Sequence, residues 1–241
     1  MSDLSSYFFR FLKDGSQVPK DSSLWPEAWK IIEFKKYERN LRHHTLQKDI
    51  DDDYFSVSLR QALLQRKSSF AFEKPLTSHE LLLVLSEATK ERSDLNRRPY
   101  PSAGALYPLE IYYISFSNET DLECGLYHYS QVEKKLSYIK KTSGLEVKKF
   151  FGDYQEWRLG VKGFIVITYL PRRNITKYRD FALRATSMEV GALLQTISLI
   201  AGATLLATRM IGSWENTLLD EYLEIDGINE LSLAILAIGK E

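Results

Sequence analysis

Apolar and polar residues repeat along this chain with both helical and strand spacing, so the pattern predicts both kinds of element. Apolar residues three and four positions apart are typical of a helix with one buried face. Thr77 precedes such a run and Glu80 follows three residues later, which is the pattern of a capping box at a helix start. We predict helices over residues 30–46, 56–67, 77–90 and 218–223, and over residues 181–206 either one long helix or two joined near Gly202.

Short runs of β-branched and aromatic residues, bounded by turn residues, predict strands. They cover residues 110–116, 125–129, 135–139, 164–169 and 231–238. Helices and strands mix without regular βαβ alternation, so the predicted fold class is α+β. Residues 1–54, which end in the acidic run 49–53, are expected to form an N-terminal extension that could dock a peptide or a partner, and residues 55–241 the main domain.

One segment is long and uncharged. Residues 190–207 contain 18 residues without a charge, a length that would also suit a membrane-spanning helix. Glu189 and Arg209 flank the segment closely, and four polar residues interrupt it. We therefore predict that it is the buried core helix of a large or dimeric protein, apolar on all sides.

Composition narrows the classes of partner. The chain has 241 residues with 32 basic and 32 acidic side chains, so its formal net charge is zero. Neither sign dominates, which argues against a general nucleic-acid surface or an anionic membrane surface. The single cysteine, Cys124, excludes an internal disulfide and a cysteine-rich metal site, and it fits a reducing cytoplasm. The first 15 residues lack the features of a signal peptide.

The common catalytic motifs are absent from the sequence. It has no GxGxxG, P-loop, HExxH or CxxC pattern, and no metal site is expected. His43 and His44 are adjacent and cannot face one ligand from one helix face, so we expect the four histidines to be structural or exposed. Arg172 and Arg173 are expected to form a solvated pair.

Residues 97–109, RRPYPSAGALYPL, are the most informative segment of the chain. Three prolines fix its backbone, and four small residues at positions 102–105 would let it approach a flat or phosphorylated ligand. Arg97 and Arg98 add positive charge beside it. From composition alone, an ordinary loop before a strand is an equally good interpretation.

The segment RRPYPSAGALYPLEIYY resembles the flavin loop of the azoline oxidases of the nitroreductase superfamily, the SagB/McbC-type dehydrogenases. Residues 176–179, TKYR, resemble the family's Lys-Tyr motif, and LSLAILAIGK near residue 240 resembles its closing strand. The three motifs occur in the family's order within residues 55–241. The resemblance implies a nitroreductase-like fold, with a central, mostly antiparallel sheet flanked by helices, in a homodimer that binds FMN.

The resemblance implies that Lys177 and Tyr178 are catalytic. Conversion of an azoline to an azole removes a Cα proton, which needs a base, and a Cβ hydride, which needs a flavin. Lysine becomes such a base when desolvation or a nearby cation lowers its pKa. Arg172, Arg173 and Arg179 could supply that cation, while Tyr178 could position water or substrate through its hydroxyl group.

Three further elements would hold the FMN. Arg66, Lys67 and Ser68 resemble the Arg-x-Ser motif beside the ribityl phosphate, and Arg209 could close on the same phosphate. Gln195 lies where the family commonly has a Gln-Asn pair, with Thr196 in place of the Asn. The flavin loop would line the isoalloxazine with Pro101, Ser102, Ala103, Gly104 and Leu106.

The implied activity is FMN-dependent oxidation of thiazolines and oxazolines in a ribosomally made precursor peptide, with dioxygen as electron acceptor. The expected partners are the precursor peptide and cyclodehydratase subunits of a bacteriocin or microcin synthetase. Two alternatives stay open: an NAD(P)H-dependent nitro or quinone reductase, and a flavin-free scaffold subunit. Because reduction of a nitro group or quinone needs no substrate base, the Lys-Tyr pair favours the azoline oxidase.

Overall fold

The computed structural model describes residue 35 and residues 42–46, 56–91, 97–143, 149–151 and 160–241. Within these ranges one sheet of seven strands forms the centre of the molecule. The strands are β1 (His43–Thr45), β2 (Leu109–Ser115), β3 (Gly125–Ser130), β4 (Lys135–Lys141), β5 (Gly163–Tyr169), β6 (Ala207–Ile211) and β7 (Leu231–Gly239).

The sheet has the strand order β1-β4-β3-β2-β5-β7-β6, and each neighbouring pair runs antiparallel. Every residue of β2 and of β5 is buried, so both faces of the sheet are covered there. Along β5 the side chains alternate between two separate cores: Ile165 and Ile167 belong to one, Phe164 and Val166 to the other. The predicted α+β class and the mostly antiparallel sheet are confirmed.

The described residues form five α-helices. They are α1 (Leu59–Gln65), α2 (Ser78–Ala88), α3 (Ile175–Tyr178), α4 (Phe181–Ala203) and α5 (Asn216–Leu223). Helix α2 begins where its capping residue predicts. Thr77 and Glu80 form the expected reciprocal capping box at α2, and Ser58 with Gln61 forms a second one at α1. Helices α2 and α4 pack on one face of the sheet through residues such as Leu85 and Leu193, and α5 packs on the other.

Two predicted boundaries were wrong. Residues 43–45, expected at the end of a helix, form strand β1, because their backbone pairs with Lys135–Ser137 of β4 and this tertiary pairing overrides local preference. The uncharged segment 190–207 does not form one helix to its end. Helix α4 stops at Ala203, Leu205 adopts a positive φ of 60°, and Ala207 begins β6, which the apolar pattern had hidden.

Helix α4 is apolar on several sides but is not buried on all of them. Within the predicted segment, Val190, Leu193 and Ile197 face the core, whereas Gly191 and Gln195 are exposed. The prediction of a core helix is therefore right for one face only. Within the described residues, no helix combines the length and hydropathy needed to cross a membrane. The predicted N-terminal extension lies mostly outside the described residues.

Candidate functional site

The 97–109 segment forms a tight turn whose backbone is partly left-handed. Ala103–Ala105 make one turn of 3₁₀ helix, and Gly104, Ala105 and Tyr107 have φ values of 64°, 56° and 45°. The Ser102 hydroxyl accepts a hydrogen bond from the Tyr107 backbone N–H at 2.9 Å, and the Ser102 carbonyl accepts one from the Ala105 N–H at 3.0 Å. Such conformations cost energy for residues with a side chain, so the surrounding contacts must hold the turn.

Arg98 is built into this turn. Its guanidinium donates to the Tyr100 hydroxyl at 3.0 Å and to the Gln131 side chain, and it lies 4.2 Å from the centre of the Tyr107 ring. Its backbone N–H also donates to the Tyr107 hydroxyl at 2.8 Å. Arg98 therefore fixes the fold of the loop.

The Lys-Tyr pair follows strand β5 through a short connection. After Tyr169 the chain makes a 3₁₀ turn at Pro171–Arg173 and then the four-residue helix α3, which ends at Tyr178. Arg179 has a positive φ of 45°, and α4 begins at Phe181. The predicted placement, at a strand end where a loop meets a helix, is confirmed.

A buried ion pair anchors this connection. Arg173 is 1% exposed, and its guanidinium pairs with Glu110 of β2 and donates to the Tyr107 carbonyl at 3.2 Å. The other Glu110 oxygen lies 2.7 Å from Nε2 of buried His128. Burial raises the pKa of Glu110, but the hydrogen bond from His128 and the charge of Arg173 outweigh it and lower that pKa to about 2.

The expectation that Arg173 is solvated was therefore wrong. The physical reason is Glu110: a charge can be buried when a partner and hydrogen bonds compensate its desolvation, and Glu110 supplies the partner from a different strand. Because Arg173 also donates to the Tyr107 carbonyl, the same ion pair ties the connection before Lys177 to the 97–109 loop.

The loop and the Lys-Tyr pair meet at Gly104. A Cβ atom built on Gly104 would lie 2.8 Å from Nζ of Lys177 and 2.8 Å from the hydroxyl oxygen of Tyr178. Both side chains are largely buried, at 5% and 8% exposure. Beneath them, Leu106 packs in an apolar cluster with Tyr178 and Ala182. Only a residue without a side chain fits at position 104 with this arrangement.

Burial sets the protonation tendency of the pair. It lowers the pKa of Lys177 and raises the pKa of Tyr178, so the amine is more readily neutral and the phenol keeps its proton. The proposed role of nearby arginines is not supported, because burial is the cause of the lysine shift and Arg173 is held by Glu110.

The residues predicted to hold the phosphate come together where residues 66–70 meet strand β6. The backbone of Ser68 bridges to Thr208, and the Arg209 guanidinium donates to the Ser69 carbonyl at 3.3 Å and lies 4.6 Å from the centre of the exposed Phe70 ring. A cavity of about 350 Å³ opens beside them. Its lining includes Arg66, Lys67, Ser198, Gly202, Thr208 and Glu241.

A carboxylate of the chain itself, that of Glu241, lines this cavity. Glu241 forms an ion pair with Lys67, and its carboxylate accepts a hydrogen bond from the Ser69 hydroxyl at 2.6 Å. A phosphate needs the same combination of cations and hydroxyl donors, so the donor set fits it. Ser69 was missed by the sequence reasoning, although it directly follows the Arg-Lys-Ser motif.

The two groups of residues contact α4 at positions that lie far apart along the helix. Ser102 contacts Glu189 near the start of the helix, whereas Gly202 near its end packs against the Arg66 backbone, where an added Cβ would lie 3.3 Å from the Arg66 nitrogen. Thirteen residues separate those helix positions, which at 1.5 Å per residue is ~20 Å.

The other predicted cofactor residues differ in their placement. Gln195 lies on the exposed side of α4, outside the cavity that Arg66 lines, and Pro101 is also exposed. Leu106 is fully buried under Tyr178, so its side chain supports the pair and does not face a ligand.

Comparison with known proteins places these observations in context. The Nitroreductase family model matches residues 63–240. MJ1384 of Methanocaldococcus jannaschii, a protein assigned to the nitroreductases, is 27% identical over 194 residues, which are 78% of this chain and 94% of that protein. Microcin B17-processing protein McbC of Escherichia coli is 27% identical over 151 residues, 61% of this chain and 55% of McbC.

Solved structures agree on the fold. The E. coli microcin synthetase McbBCD complex with truncated pro-MccB17 bound contains a chain that superposes with a TM-score of 0.66 and 19% identity, covering 99% of this chain and 91% of that chain. A protein of Desulfovibrio desulfuricans assigned to the nitroreductases, in complex with FMN, superposes with a TM-score of 0.51 and 17% identity, covering 76% and 86% of the two chains.

Proposed function

Since this chain belongs to the nitroreductase family, we propose that it oxidises thiazoline and oxazoline rings in a ribosomally made peptide to thiazoles and oxazoles, with FMN as its cofactor. The similarity to McbC and to the synthetase structure supports a McbC/SagB-type member of the superfamily. The observation that carries the proposal is the convergence of Lys177 and Tyr178 on Gly104 of the loop.

Each of the two residue groups has the chemistry that one part of an FMN needs. Arg66 and Lys67 line the cavity and would hold the phosphate together with the Ser69 hydroxyl group, which now donates to Glu241. Arg209, which donates to the Ser69 carbonyl beside the cavity, would add positive charge. The 101–106 backbone, with Gly104 free of a side chain, would take the isoalloxazine. FMN, when bound, supplies the acceptor for the hydride that leaves the substrate, and dioxygen is the final electron acceptor.

Lys177 is the base in this scheme. Its neutral amine takes the proton from Cα of the azoline, and the electrons of that C–H bond form the Cα=Cβ double bond as the Cβ hydrogen departs with its electron pair. Loss of one proton and one hydride removes two hydrogens, which is the difference between an azoline and an azole. Burial favours the neutral amine that this step requires.

Tyr178 orients the ring. Because burial raises its pKa, the hydroxyl group keeps its proton and can donate a hydrogen bond to the azoline nitrogen or to the adjacent carbonyl oxygen. Such a bond would increase the acidity of the Cα proton that Lys177 removes.

The proposal includes partners. The McbBCD complex was solved with a peptide, truncated pro-MccB17, bound. By analogy, this chain would work as a homodimer, together with cyclodehydratase subunits that make the azoline on a precursor peptide.

Lys177→Ala tests the base directly. We expect the variant to keep its fold and its FMN and to lose azole formation by about 10²–10⁴-fold, the usual contribution of a general base. The purified proteins are mixed with a synthetic peptide that contains one thiazoline ring. Mass spectrometry then measures the loss of two hydrogens, and anaerobic bleaching of the flavin absorbance measures hydride transfer. Lys162→Ala, which changes a lysine outside the site, is the matched control.

The same experiment separates the alternatives. Near wild-type conversion by Lys177→Ala would remove this residue from the mechanism. Flavin that NADPH bleaches but the thiazoline peptide does not would identify a nitro or quinone reductase. A colourless protein that binds no FMN on titration would leave the scaffold subunit as the remaining hypothesis.

A further inference from the structure

A buried carboxyl group lies behind the flavin loop. Glu189 is on helix α4, and one of its oxygens accepts a hydrogen bond from the Ser102 hydroxyl at 2.6 Å. The same hydroxyl oxygen accepts from the Tyr107 N–H at 2.9 Å. Ser102 thus joins α4 to both ends of the turn that contains Gly104.

Glu189 is nearly sealed from solvent and only partly satisfied. It is 2% exposed, and among the described residues no hydrogen-bond partner reaches its second oxygen, Oε1. An ionised carboxylate in such a place would lose its hydration without full replacement, which is costly. A neutral carboxyl group loses far less hydration free energy on burial, so it needs fewer hydrogen-bond partners than a carboxylate.

The charged and titratable groups around Glu189 come from three elements. Arg98 in the loop and Arg173 before α3 are positively charged and favour the ionised form. Arg98 is committed to Tyr100 and Gln131, and Arg173 to Glu110, so neither is placed as a direct partner. The phenols of Tyr100 and Tyr169 also face it, and burial raises the pKa of both.

We propose that Glu189 is a positioning residue that, as a neutral carboxyl group, holds Ser102 and thereby the 102–107 turn in the shape that sets Gly104 against Lys177 and Tyr178. This proposal rests on the proposed function, because it concerns the loop assigned to the flavin. Glu189 does not touch the reacting atoms; it acts through Ser102.

The expected pH dependence follows from the direction of the shift. Burial raises the pKa of Glu189 to about 7, against the lowering effects of Ser102, Arg98 and Arg173. As the pH rises from about 4.5 to about 7, the unfolded chain releases this proton first, so the folded state loses stability over that range and remains less stable above it. Below pH 4.5 Glu189 is protonated in both the folded and the unfolded state, so its ionisation does not affect stability.

Thermal unfolding without FMN tests the neutral carboxyl group. Glu189→Gln copies its shape and cannot ionise. Between pH 5 and pH 8 we expect the wild type to lose roughly 5 °C in melting temperature relative to Glu189→Gln. Glu119→Gln, which changes an exposed carboxylate, should follow the wild type. Parallel curves for wild type and Glu189→Gln would overturn the proposal.

Infrared spectroscopy provides a readout that does not depend on a variant's stability. The wild type at pH 6 should show a carbonyl band of a protonated carboxylic acid that shifts in D₂O, disappears above pH 8 and is missing in Glu189→Gln. Its absence from the wild type at pH 6 would overturn the proposal even if Glu189→Gln did not fold.

FMN titration tests the positioning role. We expect Glu189→Ala and Ser102→Ala to weaken FMN binding about tenfold and Glu189→Gln to restore it, with binding by the wild type weaker at pH 8 than at pH 6. Equal affinity in all four proteins would overturn the role of the Ser102 contact. If the wild type binds no FMN at all, the proposed function fails, while the unfolding and infrared results still decide the state of Glu189.

Discussion

Gly104 is the residue on which the candidate site depends most directly. Its backbone is left-handed, with a φ of 64°, and a Cβ there would come within 2.8 Å of the reactive ends of Lys177 and Tyr178. Those ends are flexible, so a methyl group at position 104 would displace them without unfolding the protein. The residue therefore couples backbone conformation to the geometry of Lys177 and Tyr178.

Gly104→Ala should reduce activity far more than stability. The left-handed backbone costs an alanine ~1–2 kcal/mol, whereas a displacement of about 1 Å at the reacting groups can cost about a hundredfold in rate. Urea unfolding and azole formation measure the two effects on the same preparation. Gly212→Ala is the control, since a Cβ at Gly212 meets nothing within 4 Å. Equal losses in both variants would contradict this role for Gly104.

At the scale of residues, side chains that belong to a family motif could be identified from the sequence. Side chains whose chemistry depends on their burial could not. Lys177, Tyr178 and the loop at 101–106 occupy one place, as the resemblance implied. Glu189 and Glu110 were not identified, because a glutamate on a helix or strand looks like an ordinary surface residue in sequence. Only the packing of other elements around them makes them buried and chemically distinctive.

Among the elements, the turn from β5 to α3 carries Lys177 and Tyr178, and the ion pair between Arg173 and Glu110 fixes that turn. Both partners are nearly fully buried, with His128 on the second carboxylate oxygen. A buried ion pair is weak evidence for extra stability, but removing one partner leaves the other charge without compensation. The ion pair therefore mainly disfavours every arrangement of β2, the 97–109 loop and the β5–α3 turn in which one of its charges would be buried alone.

Arg173→Met should destabilise the protein by about 3–5 kcal/mol at pH 7. Adding Glu110→Gln should recover part of that loss, because it removes the unpaired charge. Guanidinium unfolding measures the double-mutant cycle, and Glu119→Gln, which removes one side of the exposed contact with Lys162 at 3.8 Å, should change little. A loss below about 1 kcal/mol in Arg173→Met would contradict the anchoring role.

The same ion pair predicts loss of stability in acid. The pKa of Glu110 is lowered to about 2, so its contribution is complete above its ordinary value near 4.5 and is lost as the pH falls from there toward 2. In the double variant Arg173→Met/Glu110→Gln this part of the acid dependence should disappear.

Elements with local start signals were predictable, and elements defined by distant partners were not. The capping boxes of α1 and α2 and the apolar runs of β2 and β5 are visible in the sequence. Strand β1 depends on the edge of β4 and has little apolar character of its own. Strand β6 begins at Ala207, the last residue of the uncharged segment 190–207, so the loss of charge alone does not mark the change from helix to strand.

For the whole molecule, the main question is how two groups of residues whose contacts on α4 lie ~20 Å apart can serve one cofactor. The isoalloxazine and the phosphate of one FMN are closer together than that. A two-fold dimer would resolve the difficulty if the 101–106 loop of one chain met the cavity that Arg66 lines in the other. Exposed apolar side chains lie on the elements near that cavity: Leu63 at 53%, Leu64 at 76% and Leu205 at 79%.

Mixing two defective variants should then restore activity. Arg66→Ala/Arg209→Ala lacks the phosphate cations, and Lys177→Ala lacks the base. If each site takes its cations from one chain and its base from the other, every heterodimer contains one intact site and one doubly defective site. Random exchange of subunits makes half of the dimers heterodimers, so activity should recover to about a quarter of wild type.

The two proteins are mixed with FMN, their subunits are exchanged in mild urea, and the mixture is assayed with the thiazoline peptide. Sedimentation followed by flavin absorbance reports whether the dimer carries the cofactor. Each variant treated alone is the control. If the site lies within one chain, the mixture stays as inactive as its components, and a flavin-loaded monomer in the sedimentation profile would contradict the shared site independently.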